Sequence, residues 1–267
     1  MNWREQNRQA WNHIARGDNQ FARVATDDEC SRPFEILDGR GWLPRDTLGR
    51  KVLCLAAGGG WQSVLYAMTG ADVTVVDISD AMLDLDRREA ERRGLTIRTV
   101  RASMDDLSEL PDGLFEIVHQ PVSTCYVPHL LPVYREIARV MKDGGLYISQ
   151  HKQPASLQVT RKNADDHFVI GLEYYREGPL PQVSDTSYRE AGTTEYLHRW
   201  EQLVGDLCIA GFVIEDMREP LRADLNAPVS SYKYRGRFLP PYLRMKARRR
   251  QRQEEENHSD KPSLWTP

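Results

Sequence analysis

The chain has 267 residues, of which 40% are hydrophobic and 28% charged, and its 36 lysines and arginines against 39 aspartates and glutamates give a formal charge of −3. This composition is expected for a soluble globular protein and excludes collagen, a coiled coil or a disordered chain. The balanced charge provides no overall attraction to nucleic acid or to an acidic membrane, so neither is expected as a partner.

No window approaches the roughly 20 consecutive apolar residues that a membrane span needs, and the amino-terminal sequence lacks the apolar segment of a secretory signal. We therefore expect a cytoplasmic protein. The cysteines are too far apart in sequence to suggest a zinc motif or a disulfide framework, so we expect them to be reduced and predict no metal site. They are Cys30, Cys54, Cys125 and Cys208.

The first 45 residues form a leader to the main fold. A polar stretch that contains Trp3 and Trp11 predicts a helix up to about Gly17, followed by an irregular segment that ends in the turn-like residues 43–46. The predicted organisation is a helical cap over 1–45, a main domain over 46–250 and a polar tail over 251–267.

From Lys51 onward, short apolar runs alternate with longer amphipathic stretches. This alternation is typical of βαβ units, and it predicts an α/β fold with a parallel sheet that is buried on both faces. Glycines stand where the predicted helices end, at Gly70, at Gly94 and at the pair Gly144 and Gly145. The predicted strands lie within residues 51–57, 72–79, 96–103, 115–122 and 146–151, and the predicted helices within 61–70, 80–94 and 130–145.

The alternation lapses over about 151–195, where extended, hairpin-like pieces at 168–177 and around 184–193 form an insert that is a candidate substrate lid. Another helix is predicted over 195–211, and a strand within 240–250, where apolar and basic residues alternate with a period of two. The basic run 244–252 is read as part of this strand and is neutralised by the acidic residues 254–256.

A glycine-rich turn follows the first predicted strand, with Ala56 at its start and Gly58 and Gly60 within it. Ligands bind at this edge of open α/β sheets, although a turn of this kind also serves simply to connect a strand to a helix. Asp77 closes the next strand, 17 residues after Gly60. A carboxylate there can accept hydrogen bonds from both hydroxyls of a ribose, so the pair of features favours a nucleoside ligand.

Nicotinamide and flavin cofactors also contain a ribose that a carboxylate at Asp77 could bind. The dinucleotide fingerprint Gly-x-Gly-x-x-Gly/Ala is incomplete, because its third position falls on Trp61 or on Ser63 in the two possible registers. A bulky Trp61 would also crowd a pyrophosphate. An NAD(P)-dependent oxidoreductase and a non-catalytic nucleoside-binding module remain the alternatives.

Five segments in order resemble the motifs of class I S-adenosylmethionine-dependent methyltransferases, particularly the small-molecule, ubiquinone/menaquinone-type group (methyltransferase type 11-like). They are VLCLAAGGG, VVDIS, RASMDDL, FEIVHQPVSTCYV and YREIARVMKDGGLYIS. The resemblance implies a doubly wound, seven-stranded, mostly parallel sheet with an antiparallel last strand. It also implies transfer of a methyl group from S-adenosylmethionine to a small-molecule acceptor by in-line displacement. Cys54 and Ala56 depart from the family pattern, which has an acidic residue and a glycine there.

The same resemblance implies a set of cofactor-binding residues. Asp77 binds the ribose, Ser103 and Met104 meet the adenine edge with Asp105 as a substitute for Ser103, and Gln120 lies near the methionine moiety. The full predicted set is Ala56, Gly58, Gly60, Asp77, Ile78, Ser103, Met104, Asp105 and Gln120.

A base is needed only if the acceptor must lose a proton. His151 is the preferred candidate, because it follows the fifth predicted strand at the edge that holds the cofactor, although a structural role is the alternative. Other candidate bases are His119, His129, His198 and Tyr126, and Tyr174, Tyr175 and Trp200 are candidates to line an aromatic acceptor pocket or to belong to the core. A monomer or a homodimer is expected.

Overall fold

A computed structural model of the protein describes residues 2–17, 20–181, 189–229 and 231–251. Its central element is a seven-stranded sheet in the order β3-β2-β1-β4-β5-β9-β8. The described strands are β1 (Lys51–Leu55), β2 (Asp72–Asp77), β3 (Ile97–Arg101), β4 (Phe115–Gln120), β5 (Met141–Lys152), β6 (Val159–Lys162), β7 (Phe168–Ile170), β8 (Phe212–Arg218) and β9 (Tyr242–Arg249).

The sheet confirms the predicted architecture. Strands β3, β2, β1, β4 and β5 are parallel neighbours, and β9 runs antiparallel to both β5 and β8. The alternation predicted for the last strand is also confirmed, because Leu243, Met245 and Ala247 are fully buried while the basic residues between them are half-buried. A doubly wound sheet of this kind presents the carboxyl ends of its parallel strands at one edge, where ligands bind.

Helices cover both faces of the sheet. The described α-helices are α1 (Trp3–Arg16), α2 (Asp27–Ser31), α3 (Pro33–Leu37), α4 (Gln62–Met68), α5 (Asp80–Arg92), α6 (Leu130–Val140), α7 (Pro154–Leu157), α8 (Asp206–Ile209) and α9 (Tyr232–Arg235). On one face, Ile137 of α6 and Leu207 of α8 pack with Tyr147 of β5. On the other, Tyr66 of α4 and Leu83 of α5 pack with strands β1 and β2.

The leader is more helical than its sequence predicted. Helix α1 ends at Gly17 as expected, but α2 and α3 occupy a part that was predicted to be irregular. The side chain of Thr26 accepts a hydrogen bond from the backbone N–H of Glu29, and the Glu29 carboxylate accepts one from the backbone N–H of Thr26. This reciprocal capping box satisfies donors that a short helix otherwise leaves open, and it accounts for α2.

Two predicted helix boundaries are wrong. Helix α6 ends at Val140, and β5 begins at Met141, so Gly144 lies inside a strand with φ of 75° rather than beyond a helix. The pairing of β5 with β4 shifts register there, which a glycine in this left-handed conformation accommodates. Gly70 and Gly94 do follow α4 and α5 with φ of 79° and 65°, as predicted.

The helix predicted over 195–211 begins only near Glu201, with a π-helical turn at Glu201–Gly205 that leads into α8. The residues before it are extended, because the carbonyl of Glu195 accepts from the N–H of Leu180 and the N–H of Tyr196 donates to the carbonyl of Cys125. Backbone pairing with distant segments therefore replaces helical hydrogen bonds.

The insert contains a hairpin formed by β6 and β7. Only β7 lies within a predicted extended piece, 168–177, whereas β6 precedes both predicted pieces. Residues 182–188 of the insert and 252–267 of the polar tail lie outside the described part of the chain. Among the described helices, none combines the length and the apolar composition that crossing a membrane would require.

Candidate functional site

A cavity of about 420 Å³ lies at the carboxyl edge of the sheet. Its floor comes from the segments that follow β1, β2, β3 and β4, and its cover comes from the leader and the insert. The lining residues used below are Trp3, Asn7, Trp11, Phe21, Ala56, Gly58, Trp61, Gln62, Asp77, Ile78, Ser103, Met104, Ser123, Tyr126, Gln150, Glu190, Arg222 and Tyr242.

Asp77 ends β2 and lies on the wall of this cavity. Its carboxylate accepts hydrogen bonds from the backbone N–H of Gly58 at 3.0 Å and from that of Ser79 at 2.9 Å. Burial raises the pKa of Asp77 to about 6, although the N–H donors of Ser79, Gly58 and Ile78 act in the opposite direction. The carboxylate is thus held in place by backbone N–H donors.

The turn after β1 fits closely against Asp77. A Cβ at Gly58 would lie 2.8 Å from the Cβ of Met82 and 3.0 Å from Oδ2 of Asp77, so a side chain there is excluded by the protein itself. Ala56 adopts φ of 49°, a left-handed conformation that favours glycine. Ala56 and Gly58 line the cavity, whereas Gly60 does not and instead packs against α5.

Asp86 of α5 holds the same turn from behind, a role that the sequence analysis missed. Its carboxylate accepts from the N–H of Gly59 at 2.9 Å, from the N–H of Gly60 at 3.1 Å and from the hydroxyl of Ser63. Asp86 is fully buried, and this burial is the main reason that its pKa rises to about 7. Because these N–H groups donate to Asp86, the conformation of the turn is fixed before any ligand binds.

The segment after β3 brings Ser103 and Met104 to the cavity, and Ile78 lies beside them after β2. Asp105 is not on the cavity wall. It accepts a hydrogen bond from the hydroxyl of Ser103, and Arg4 of α1 pairs with its carboxylate at 2.6 Å. Asp105 therefore orients Ser103 and anchors α1.

Gln120, at the end of β4, is fully buried and lies outside the cavity lining. Its Oε1 accepts from the hydroxyl of Tyr147 at 2.6 Å, and its Nε2 donates to the hydroxyl of Ser123 at 2.9 Å and to the sulfur of Met104 at 3.3 Å. Since Met104 and Ser123 both line the cavity, Gln120 ties two parts of its wall together.

The structure does not place His151 on the cavity wall. Strand β5 continues to Lys152 and pairs there with β9, so His151 lies inside the sheet rather than beyond its edge. Its Nδ1 is 2.9 Å from the hydroxyl of Thr124 and its Nε2 is 2.7 Å from that of Ser149. Burial, with a smaller contribution from His198, lowers the pKa of His151 to about 3.

The other candidate histidines also lie outside the lining. Burial lowers the pKa of His119 to about 3, and its Nδ1 is 2.8 Å from the hydroxyl of Tyr66. His198 is held by two backbone carbonyls, each 3.0 Å from its Nε2, and His129 is exposed at the start of α6. The rings of His119 and His198 therefore make structural contacts and do not reach the cavity.

Tyr126, by contrast, faces the cavity and belongs to a buried charged cluster. Its hydroxyl donates to Oε2 of Glu190 at 2.7 Å, and Nζ of Lys152 donates to the same oxygen at 2.6 Å and to Oε1 of Glu195 at 2.9 Å. Burial acts to raise the pKa of Glu190, but the Lys152 ammonium and the hydrogen bonds to this carboxylate, including that from Tyr126, together outweigh burial and hold the pKa below its usual range. The cluster thus presents an ionised carboxylate, Glu190, to the cavity.

The aromatic residues that line the cavity are not the predicted ones. Tyr174, Tyr175 and Trp200 lie elsewhere, with the hydroxyl of Tyr174 accepting from the backbone N–H of Trp200 at 3.1 Å. The aromatic walls come instead from the leader, the glycine turn, the segment after β4 and β9. They are Trp3, Trp11, Phe21, Trp61, Tyr126 and Tyr242.

Helix α1 is fastened over the cavity by side-chain hydrogen bonds. Nδ2 of Asn7 donates to the carbonyls of Tyr126 and Thr194, and its Oδ1 accepts from the N–H of Thr194 at 2.7 Å. Asn12 accepts from the hydroxyl of Ser79 at 2.7 Å. The leader is therefore joined to the segments that follow β2 and β4 and to the insert.

Comparison with known proteins gives the class of the domain. A family described as "Methyltransferase domain" matches residues 53–149. The uncharacterized methyltransferase YbaJ of Bacillus subtilis is 49% identical over 115 residues, which are 43% of this chain and 45% of that protein. A ubiquinone biosynthesis O-methyltransferase of Bordetella avium is 28% identical over 128 residues, 47% of this chain and 50% of that protein. The matches span half or less of the length of these curated relatives.

Two solved structures share the fold. An S-adenosylmethionine-dependent methyltransferase from Mesorhizobium loti has a TM-score of 0.65 at 23% identity, covering 82% of this chain and 100% of that one. A geranyl diphosphate C-methyltransferase from Streptomyces coelicolor has a TM-score of 0.64 at 15% identity, covering 93% and 98%. Residues 53–149 therefore match a methyltransferase domain, and the chain shares the fold of these S-adenosylmethionine-dependent methyltransferases, as its sequence motifs indicated.

Proposed function

We propose that the protein transfers a methyl group from S-adenosylmethionine to a small molecule bound in the described cavity. The observation that carries the proposal is the carboxylate of Asp77, buried at the carboxyl edge of β2, hydrogen-bonded to Gly58 and facing the cavity. An ionised carboxylate at this edge is the group that accepts hydrogen bonds from ribose hydroxyls.

The residues present fit a nucleoside with an amino-acid tail. Asp77 would hold the ribose, Ile78, Ser103 and Met104 would enclose the base, and the turn at Ala56 and Gly58 would lie against the tail. The absent side chain at Gly58 lets the turn pack directly against Asp77, because a Cβ there would collide with Met82 and Asp77. Gly60, Asp105 and Gln120 would act indirectly, through the packing and hydrogen bonds that fix these cavity residues.

When bound, S-adenosylmethionine supplies an electrophilic methyl group on its sulfonium. The protein's own contribution is to orient the acceptor and to exclude water, which the apolar walls and the fastened α1 provide. Glu190 would accept a hydrogen bond from an O–H or N–H of the acceptor. The neighbouring Tyr126 hydroxyl, whose pKa burial raises well above its usual range, stays neutral and continues to donate to Glu190.

Glu190, rather than His151, is therefore the group we assign to the acceptor's proton. Glu190 lies on the cavity wall, whereas both ring nitrogens of His151 are hydrogen-bonded to the buried hydroxyls of Thr124 and Ser149. A carboxylate whose pKa is held low is a weak base, so this arrangement suits an acceptor that loses its proton during or after methylation rather than before it.

Binding of a nicotinamide cofactor is disfavoured by Trp61. Its ring lines the cavity at the glycine turn, and its Nε1 donates to Glu29 of α2 at 3.0 Å, which ties it in place. A pyrophosphate would have to occupy space close to this fixed ring.

Thermal unfolding with added ligands tests the proposal. S-adenosylhomocysteine and S-adenosylmethionine should each raise the midpoint in a concentration-dependent manner, while NAD and NADP should not. Stabilisation by NAD or NADP alone would indicate the oxidoreductase instead. If S-adenosylhomocysteine binds but no acceptor is methylated, as measured by release of S-adenosylhomocysteine from S-adenosylmethionine, the non-catalytic nucleoside-binding module is favoured.

A further inference from the structure

One part of the cavity carries positive charge that the described residues do not neutralise. Arg222, in the segment after β8, lines the cavity and has no carboxylate partner among the residues that the structure describes. Its backbone passes close to Gly236, where a Cβ would lie only 2.1 Å from the carbonyl oxygen of Arg222. Arg222 is exposed and contributes to the cavity lining.

A second guanidinium lies directly behind the wall. Nε of Arg244, on β9, donates to Oε1 of Gln150 at 2.6 Å, and Gln150 lines the cavity. Arg244 is half-buried, and a neutral amide is its hydrogen-bond partner. Burial lowers the pKa of Arg244, and the charges of Arg222 and Arg40 lower it further.

The cavity also holds a polar group that lacks a partner. Gln62 is 5% exposed and lies on the cavity wall, and its Oε1 has no hydrogen-bond partner among the described residues. Burying an amide oxygen without a partner is costly, so a ligand N–H or O–H group that donates to Gln62 would recover that cost. Aromatic side chains, Trp61 and Tyr242 among them, also line the cavity.

We propose that the methyl acceptor is a small molecule with a planar apolar body and an anionic group, a carboxylate or a phosphate, and that Arg222 binds this anion. The inference rests on the proposed function, since it names the class of acceptor for the same cavity. A guanidinium suits this task because its donors match the oxygens of a carboxylate or a phosphate in a bidentate pair. Arg244 adds positive potential through the wall without contacting the ligand.

The test first separates the cofactor from the acceptor. Titration of S-adenosylhomocysteine into the protein and into Arg222→Met should give equal dissociation constants, since Arg222 is assigned to the acceptor. A loss of S-adenosylhomocysteine affinity in Arg222→Met would place this arginine in the cofactor site and would overturn the inference. Failure of S-adenosylhomocysteine to bind the unmodified protein would instead contradict the proposed function.

The complex with S-adenosylhomocysteine is then titrated with benzoate and phenyl phosphate, and with benzamide as their neutral counterpart. We expect at least one anionic probe to bind about tenfold or more tightly than benzamide, and Arg222→Met to abolish this preference. Arg218→Met is the matched control, because Arg218 is exposed on β8 and pairs with Asp216. Equal binding of the anionic and neutral probes, or a preference that survives in Arg222→Met, would overturn the inference.

Discussion

The carboxylate of Asp86 accepts a hydrogen bond from the backbone N–H of Gly59 at 2.9 Å. This contact joins the interior face of α5 to the turn on which the proposed cofactor site depends. Burial, together with the nearby charge of Asp77, raises the pKa of Asp86 to about 7, while its hydrogen-bond donors oppose that rise. The protonation state of one hidden side chain therefore affects the turn at near-neutral pH.

Substitution Asp86→Asn should change how stability depends on pH. The folded protein holds the Asp86 proton more tightly than the unfolded chain, in which an aspartate has a pKa near 4. Its contribution to the unfolding free energy is therefore complete below about pH 4 and is lost as the pH rises through about 7. The unfolding free energy of the unmodified protein, minus that of Asp86→Asn, should fall by up to about 2 kcal/mol between pH 5 and pH 8.

Urea unfolding followed by tryptophan fluorescence at the two pH values measures this difference. Asp84→Asn is the control, since Asp84 lies on the same helix, is half exposed and pairs with Arg87. A difference between the unmodified protein and Asp86→Asn that stays constant or grows with pH would show that Asp86 does not hold a raised pKa.

Replacing Ala56 with glycine should stabilise the protein. With φ of 49°, Ala56 carries a left-handed backbone that costs an alanine about 1–2 kcal/mol, whereas a glycine gives up about 0.5–1 kcal/mol through its freer unfolded chain. Ala56→Gly should therefore raise the unfolding free energy by up to about 1 kcal/mol. The neighbouring Ala57→Gly should lower it, because Ala57 does not share this conformation. Stabilities that change in the same direction would contradict this account of the turn.

Replacing Lys152 with methionine should strongly destabilise the protein. The Lys152 ammonium lies between Glu190 and Glu195, at 2.6 and 2.9 Å, so Lys152→Met would remove the cation that these two buried carboxylates share and leave Arg189, 3.2 Å from Glu195, beside one of them. The expected loss is about 3–5 kcal/mol at pH 8. It should be smaller at pH 5, because the pKa values of both carboxyl groups rise when the lysine is absent and they then take up protons.

Chemical unfolding at both pH values, with Lys142→Met as the control, tests this prediction. Lys142 lies on the same strand but is half exposed, and its Nζ is 4.0 Å from Glu116. A loss of similar size in the two variants would show that the cluster around Lys152 contributes no more than a surface charge.

Much of the fold could be predicted from the sequence because its signals are local. Buried parallel strands require apolar runs, and the runs at β1 and β2 are unmistakable; the alternation in β9 is equally clear. The end of α6 could not be predicted, because it depends on the pairing of Met141 with Phe115 in another strand. Distant backbone partners also keep residues before Glu201 out of the helix.

In the candidate site, too, residues with a local sequence signal could be predicted, and residues placed by distant strand pairing could not. Asp77 could be predicted because the sequence shows both the end of its strand and its spacing from the glycine turn. Asp86 was missed, although Leu83, Asp86 and Ala90 share one face of α5 and are all buried, so a carboxylate on an apolar stripe was the available signal. His151 was expected at the edge of the sheet, but β5 extends past it to pair with β9.

The most direct test of the central claim is the affinity of the protein for S-adenosylhomocysteine with and without the Asp77 carboxylate, measured by isothermal titration calorimetry. Asp77→Asn should weaken binding by about 10- to 100-fold while circular dichroism shows an unchanged fold, because a charge-assisted hydrogen bond to the ribose is replaced by a neutral one. Asp72→Asn, at the opposite, exposed end of the same strand, should bind as the unmodified protein does. Equal dissociation constants for the unmodified protein and Asp77→Asn would contradict the assignment of this cavity to the cofactor.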